Sequence, residues 1–487
     1  MGVVSVNPTQ NENVLSQLDR RAPTTFYWSL TLLATIGGFL FGYDTANIGS
    51  ALNFIPYPLS GFALGYLVAG ASVGAAVGAI LAGPLTDHFG RKSLLIVDAG
   101  IYMVGALLSA FTWNSYVLLG ARTLIGLAIG ADSAIATAYI SEYAPRERRG
   151  ALAMLQQWMI TVGILVSYLV AMVILWSLPH HARGADWRLM FGLGAVPAFA
   201  GLVLRTRMPE SPRWLLGRGR YADVKRALAK LGVDVTIDQV ERTAAEIAAI
   251  EEQRKGREGI SQWTPGVRRA VIVVSVFFIF QQITGINVPL YYGPHLLAPL
   301  FQSAHGSKVD AAIAGVEVTA IMSAVNVGAT YFGFKYIDRW GRRRIAMGGY
   351  TGMTIAMLVA AAGLTFLSGT TEIVVVMIGL DVFIAAFAIG VGGTGWLIQG
   401  ETFPTEVRGR AASIGATVDW LANFALIEVF PTWQTGIGLA WVLVCFAGLC
   451  VVAIVFVAKF LPETKGLPVE EIVHLYERQA RGTGGVM

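Results

Sequence analysis

QQITGINVPLYY, residues 281–292, puts three amides and a hydroxyl inside an apolar segment long enough to cross a membrane. Val271 to Phe280 carries no charge, and Gln281, Gln282, Thr284 and Asn287 then follow in less than about two helical turns. Polar groups in hydrocarbon need partners within the protein. Gly285 loosens the helix, and Pro289 removes a backbone donor and frees the carbonyl of residue 285, so a broken helix is predicted. An opened backbone survives in lipid only where it is packed in protein or lines a cavity, which points to an internal site. Two readings of the amides stand at this point: they bridge helices, or each offers a donor and an acceptor to a polar ligand.

Composition agrees with a membrane setting. Of 487 residues, 55% are hydrophobic and only 14% charged, with 56 glycines and 12 tryptophans. A soluble domain carries about 25% charged residues. The net charge of +5 lies in short loops between apolar runs, so it calls for no nucleic-acid partner. Cys445 and Cys450, five apart in one apolar run, face different sides of a helix and do not suit a disulfide. Residues 1–25 contain no apolar core of a signal peptide and read as a cytoplasmic tail.

Twelve apolar runs of helical length follow, near 26–47, 62–82, 93–111, 116–141, 151–176, 187–205, 269–298, 310–334, 344–367, 373–402, 410–430 and 436–460. They divide into bundles at 26–205 and 269–460. Segment 206–268, rich in Arg, Lys, Glu and Ala, reads as a helical linker outside the bilayer, and 461–487 as a second tail. Arg91, Lys92, Arg146, Arg148, Arg149, Arg339, Arg342, Arg343, Arg344, Arg408 and Arg410 fall in loops on one side, and the opposite loops hold little beyond Arg183 and Lys308. The positive-inside rule then puts both termini and the linker in the cytoplasm.

The halves repeat each other. Asp87, Gly90 and Arg91 recur 251 positions later as Asp338, Gly341 and Arg342, and Glu142, Pro145, Arg149 and Gly150 recur 259 positions later as Glu401, Pro404, Arg408 and Gly409. PESPRWL at 209–215 and PETKG at 462–466 close the two halves. A parallel repeat of two six-helix bundles forms its site at the repeat interface near the bilayer midplane. The loop motifs set arginines beside carboxylates at helix ends, where ion pairs are expected to gate the cytoplasmic side; the simpler account, that the charges fix topology, explains the arginines but not the acids.

Asp44, deep in the first run, has no basic residue within fifteen positions. A membrane carboxylate is costly and functional by default. Glu317 and Asp381 read as interfacial, close to expected helix ends. No His/Cys/Asp cluster has metal-ligand spacing and no Gly-x-x-x-x-Gly-Lys loop is present, so no cofactor is expected and ATP is not the driving force. No nucleophile–base pair suggests an enzyme.

QQ-x-x-GIN followed by paired tyrosines resembles the seventh helix of the sugar porters of the major facilitator superfamily, and the repeated loop motifs extend the likeness over nearly the whole chain. The resemblance implies an all-α membrane protein of twelve helices in two six-helix bundles. It implies that Gln281, Gln282 and Asn287 hydrogen-bond sugar hydroxyls, with Gln157 from the fifth helix and Asn326 from the eighth. Trp396 would lie against the sugar, and Phe41 and Trp420 would complete an apolar wall. FGYD at 41–44 matches the first-helix motif of proton-coupled members, where passive animal facilitators have asparagine, and Arg122 matches the arginine paired with that aspartate. Asp87, Arg91, Glu142 and Arg149, with Asp338, Arg342, Glu401 and Arg408, match the gate motifs. Two acids depart from the pattern: Asp419, where sugar porters have Gln or Asn, and Asp132, an extra acid whose GAD…SEY surroundings resemble phosphate/proton symporters.

The leading expectation is a monomeric carrier in the plasma membrane that imports a monosaccharide, hexose or pentose, with a proton by alternating access. The alternatives are a passive facilitator, distinguished by Asp44 and Arg122, and a proton symporter for a polyol, organic acid or phosphate, favoured by Asp132 and Asp419. A transporter-like nutrient sensor is disfavoured by the short segment after the last helix.

Overall fold

The computed structural model describes residues 14, 25–143, 149–178, 186–255, 263–305, 308–404, 407–467 and 469–481. Among them, eleven helices are long and apolar enough to cross a membrane. A twelfth span is divided into Thr25–Ala34 and Ile36–Ala51, interrupted at Thr35, so neither half reaches full length alone. In chain order the remaining spans are the second, Phe62–Phe89; third, Arg91–Ala110; fourth, Ser115–Tyr143; and fifth, Arg149–Ser177. The sixth is Trp187–Leu193 with Ala195–Arg205, and the seventh Pro265–Ile283 with Asn287–His305. Lys308–Trp340, Arg342–Phe366, Gly369–Thr402, Arg408–Ile437 and Leu439–Phe460 complete the set. The architecture is the major facilitator fold, with short helices at Pro212–Gly217, Tyr221–Lys230 and Ile237–Lys255 between the two bundles. Several spans outrun their apolar cores: the eighth has 33 residues, about 50 Å of helix, and carries its last turns into the charged loop. The expected C-terminal tail contains a helix, Val469–Ala480, that packs on the start of the seventh span. Asp381, expected near a helix end, lies well inside Gly369–Phe387 and is half-buried.

Glycine decides how closely the helices approach. A Cβ at Gly126 would stand 1.9 Å from the Ala71 carbonyl oxygen, one at Gly130 2.0 Å from that of Ala75, and one at Gly42 1.9 Å from that of Ile160. Backbone therefore rests on backbone between spans two and four and between one and five, the small-residue packing that lipid favours because dispersion must replace the hydrophobic effect. Between the halves, the second span packs on the eleventh and the fifth on the eighth.

The repeats lie at equivalent places. Gly90 and Gly341, at φ of +91° and +86°, begin spans three and nine. Glu210 then accepts from the amides of Arg91 and Lys92 at 3.0 and 3.2 Å, and Glu463 from those of Arg342 and Arg343 at 2.8 and 3.1 Å. Each acid satisfies amides that a helix start leaves without partners. These are the glutamates of the PES and PET strings, so the motifs that close each half also lock its third helix.

Gly126→Leu should cost about 1–3 kcal/mol by overpacking, read as a lower melting temperature of the purified protein. Gly120→Leu, on the same helix but facing open space, should leave it unchanged. Equal melting temperatures would contradict this packing.

Candidate functional site

The seventh span breaks as its sequence requires. Its first helix ends at Ile283, Gly285 takes φ +94°, and the second begins at Asn287. Pro289 thus sits in a first turn, where a missing N–H costs nothing. A side chain at 285 would be strained by that φ, and its Cβ would meet the Phe446 ring at 2.6 Å.

A directed chain of hydrogen bonds crosses the break. Asn287 Nδ2 donates to Gln282 Oε1 at 2.7 Å, and Gln282 Nε2 donates to Asp419 Oδ1 at 2.7 Å. Gln281 turns the other way and donates to the Gly392 carbonyl at 2.9 Å. That carbonyl ends the π-helical turn Ala388–Gly392 of the tenth span, where the wider winding loosens the α-helical bonding. The glycine run 390–395 also permits close approach: a Cβ at Gly390 would lie 2.5 Å from Gly349 Cα. Asp419 is buried, and no ion pair reaches it among the described residues. Aromatic rings flank this chain, Trp396 against Phe278 and Phe41 against Trp420, each pair with centroids 5.0 Å apart. The second pair joins the first span to the eleventh, across the two halves.

Asp44 and Arg122 form a buried ion pair, with Arg122 Nε also donating to the Leu67 carbonyl at 3.2 Å. Arg122 is thereby committed to the first bundle. Asn423, one helical turn after Asp419, is a site residue the sequence reading missed. Its i, i+4 relation to Asp419 was the available signal.

Not every expected residue joins this constellation. Gln157 is half-buried on the fifth span, and Asn326 is buried on the eighth with its Oδ1 3.4 Å from the Thr330 hydroxyl; neither bonds to the amide chain among the described residues. Asp132 stands apart from it, paired with Arg205 Nη2 at 2.5 Å inside the first bundle. Only its position in the chain had suggested a ligand site, and its actual neighbours come from spans remote in sequence.

At the arginine-rich end, ion pairs among the described residues remain within each half. Arg91 meets Glu142 at 3.1 Å and Asp87 at 3.4 Å, and Arg342 meets Glu401 at 2.6 Å and Asp338 at 2.8 Å. The side chains of Arg149 and Arg408 lie outside the described residues. Burial pushes the Glu142 carboxyl upward, against the lowering effect of Arg91. The opposite end is closed by contacts between halves: Tyr168 donates to the Leu290 carbonyl at 2.8 Å, Trp176 to Glu317 at 2.8 Å, and His295 meets Asn53 at 2.6 Å.

Residues 30–476 match the family described as "Sugar (and other) transporter". The chain is a sugar porter of the major facilitator superfamily. It is 35% identical to the glucose transporter GlcP of Staphylococcus epidermidis, over 93% of this chain and 98% of that one. It is 30% identical to the arabinose-proton symporter of Bacillus subtilis, over 96% and 99%. Its fold matches a partially occluded inward-open structure of the xylose transporter XylE from E. coli, with a TM-score of 0.77, 28% identity, and coverage of 91% and 100%. This sugar porter is a multi-pass membrane transporter and not an enzyme.

Gln282→Leu should lower stability by about 1–3 kcal/mol, since it strips the Asp419 carboxyl of its donor. Asp419→Asn, which keeps an acceptor oxygen in place, should not. Thermal melting of both variants in the same detergent decides this, and equal loss would contradict the directed chain.

Proposed function

We propose that this protein imports a monosaccharide together with a proton by alternating access in the plasma membrane, with both termini and the linker in the cytoplasm. The observation that carries the reading is the chain Asn287–Gln282–Asp419 at a broken helix, set between aromatic walls from both halves. Neutral amides accept and donate, as sugar hydroxyls require, and aromatic faces suit the C–H surfaces of a pyranose. Gln281, Gln282, Asn287, Asp419, Trp396, Trp420 and Phe41 are the proposed first contacts, with Gln157 and Asn326 approaching from spans five and eight as the substrate enters. The protein is proposed to work as a monomer.

Alternating access fits the two unlike ends. Closure by Tyr168, Trp176 and His295, with ion pairs kept inside each half at the arginine-rich face, corresponds to a carrier shut to the outside. In the opposite state the arginine motifs, including Arg149 and Arg408, are proposed to hold the cytoplasmic face shut.

Coupling is assigned to Asp44 and Arg122. A buried pair of this kind changes its proton affinity when the distance or the local hydration changes. The arabinose-proton symporter, a relative by its name proton-driven, is consistent with this. A polyhydroxyl ligand, sugar or polyol, suits a site whose polar groups are the Asn287, Gln282 and Asp419 chain, since hydroxyls both donate and accept.

Asp44→Asn should abolish accumulation of labelled sugar driven by a proton gradient in proteoliposomes. Sugar exchange should remain close to the parent rate, because exchange alternates the loaded carrier without net proton movement. Continued accumulation against the sugar gradient would place the proton site elsewhere.

A further inference from the structure

The first bundle contains a second buried charge cluster that the sugar site does not use. Asp98 on the third span, Asp132 on the fourth and Arg205 at the end of the sixth are all buried. Arg205 Nη1 donates to Asp98 Oδ1 at 2.9 Å, and Nη2 pairs with Asp132 Oδ1 at 2.5 Å. One guanidinium thus bridges both carboxyl groups. Asp98 Oδ2 and Asp132 Oδ2 have no donor among the described residues, and both acids line a small cavity with Gly37, Leu40 and Tyr102. The space is built for a carboxylate: a Cβ at Gly37 would stand 1.3 Å from Asp132 Oδ2.

We propose that Asp98, Asp132 and Arg205 form a second proton-binding site, separate from Asp44 and Arg122. Two ionised carboxylates and one guanidinium leave a net negative charge in a buried site, whereas one added proton makes the cluster neutral. The other titratable or charged groups on the packed elements include Tyr43 and Asp44 of the first span, Arg91, Lys92 and Tyr102 of the third, Tyr116, Arg122, Tyr139, Glu142 and Tyr143 of the fourth, Arg188 of the sixth and Arg207 after it. Arg91 is held by Glu142, and Lys92 is partly exposed at the start of its helix. Tyr102 donates to the Leu40 carbonyl, Tyr139 to the Pro209 carbonyl, Arg122 is held by Asp44, and Arg207 is exposed, so among the described residues none supplies the missing charge.

The site has a mechanical connection. Arg205 also reaches the carbonyls of Leu33 and Ala34, each at 3.4 Å, on the near side of the Thr35 interruption in the first span. The same span carries Asp44. Asp132 follows Arg122 by ten residues on one helix, about 15 Å nearer the arginine-rich face. The site rests on the proton-coupled reading only for its use in transport; its test needs neither substrate nor gradient.

That test is infrared difference spectroscopy of the protein reconstituted in lipid at neutral pH, reading the carbonyl stretch that a protonated carboxyl shows and a carboxylate lacks. Asp98→Asn and Asp132→Asn should each remove one carboxylic acid from the parent spectrum, because either leaves a neutral Asp–Arg pair. Asp44→Asn should leave that band in place. Both cluster variants should keep the parent melting temperature, whereas Arg205→Met should lower it. Either aspartate variant alone reports the result, so failure of one to fold does not stop the test. A carboxylic acid signal unchanged in the aspartate variants would overturn the proposal.

Discussion

Inside a bilayer a polar group has no water to fall back on, and this constraint organises the whole molecule. The break at Gly285 exposes backbone and collects amides, and each amide is spoken for: Asn287 by Gln282, Gln282 by Asp419, Gln281 by the Gly392 carbonyl of a π-helical turn. Arg122 is answered by Asp44 and a backbone carbonyl, and Arg205 by two acids and three carbonyls. At the Thr35 interruption and in the π-helical turn, a polar side chain from another span takes up a released carbonyl. Polar binding chemistry therefore collects at the breaks.

Duplication supplies the frame around these breaks. Glu210 and Glu463 perform the same task in the two halves, holding helix starts that follow left-handed glycines. Arg91 and Arg342 each reach across to the acid at the end of the next inward-going span. The halves meet at the second and eleventh spans and at the fifth and eighth. The Phe41–Trp420 pair also spans that seam. A ligand seated there would touch both halves at once, as the proposed alternating access requires.

The twelve spans and the break were legible because each depends on local properties: apolar length, and a Gly with a Pro. The position of Asp419 beside Gln282 was readable only through a family pattern, because it joins residues 137 positions apart. Asn423 carried a local signal, one turn from Asp419, that the reading did not use. Asp98 and Arg205 carried none, since each looks like a residue near a helix end and only the fold brings them to Asp132. Asp132 was noticed for its neighbours in the chain, and its role followed instead from its neighbours in space. The helix in the C-terminal tail was missed because its stability comes from packing on the seventh span.

The central claim is that this site takes a neutral sugar and that a proton gradient drives it. Uptake by the reconstituted protein from a panel of labelled hexoses, pentoses, polyols and anions, with and without an imposed proton gradient, tests it most directly. The account predicts accumulation of one or more monosaccharides above equilibrium only when the gradient is inward. Uptake of anions in preference to every sugar, or sugar uptake that only equilibrates whatever the gradient, would contradict it.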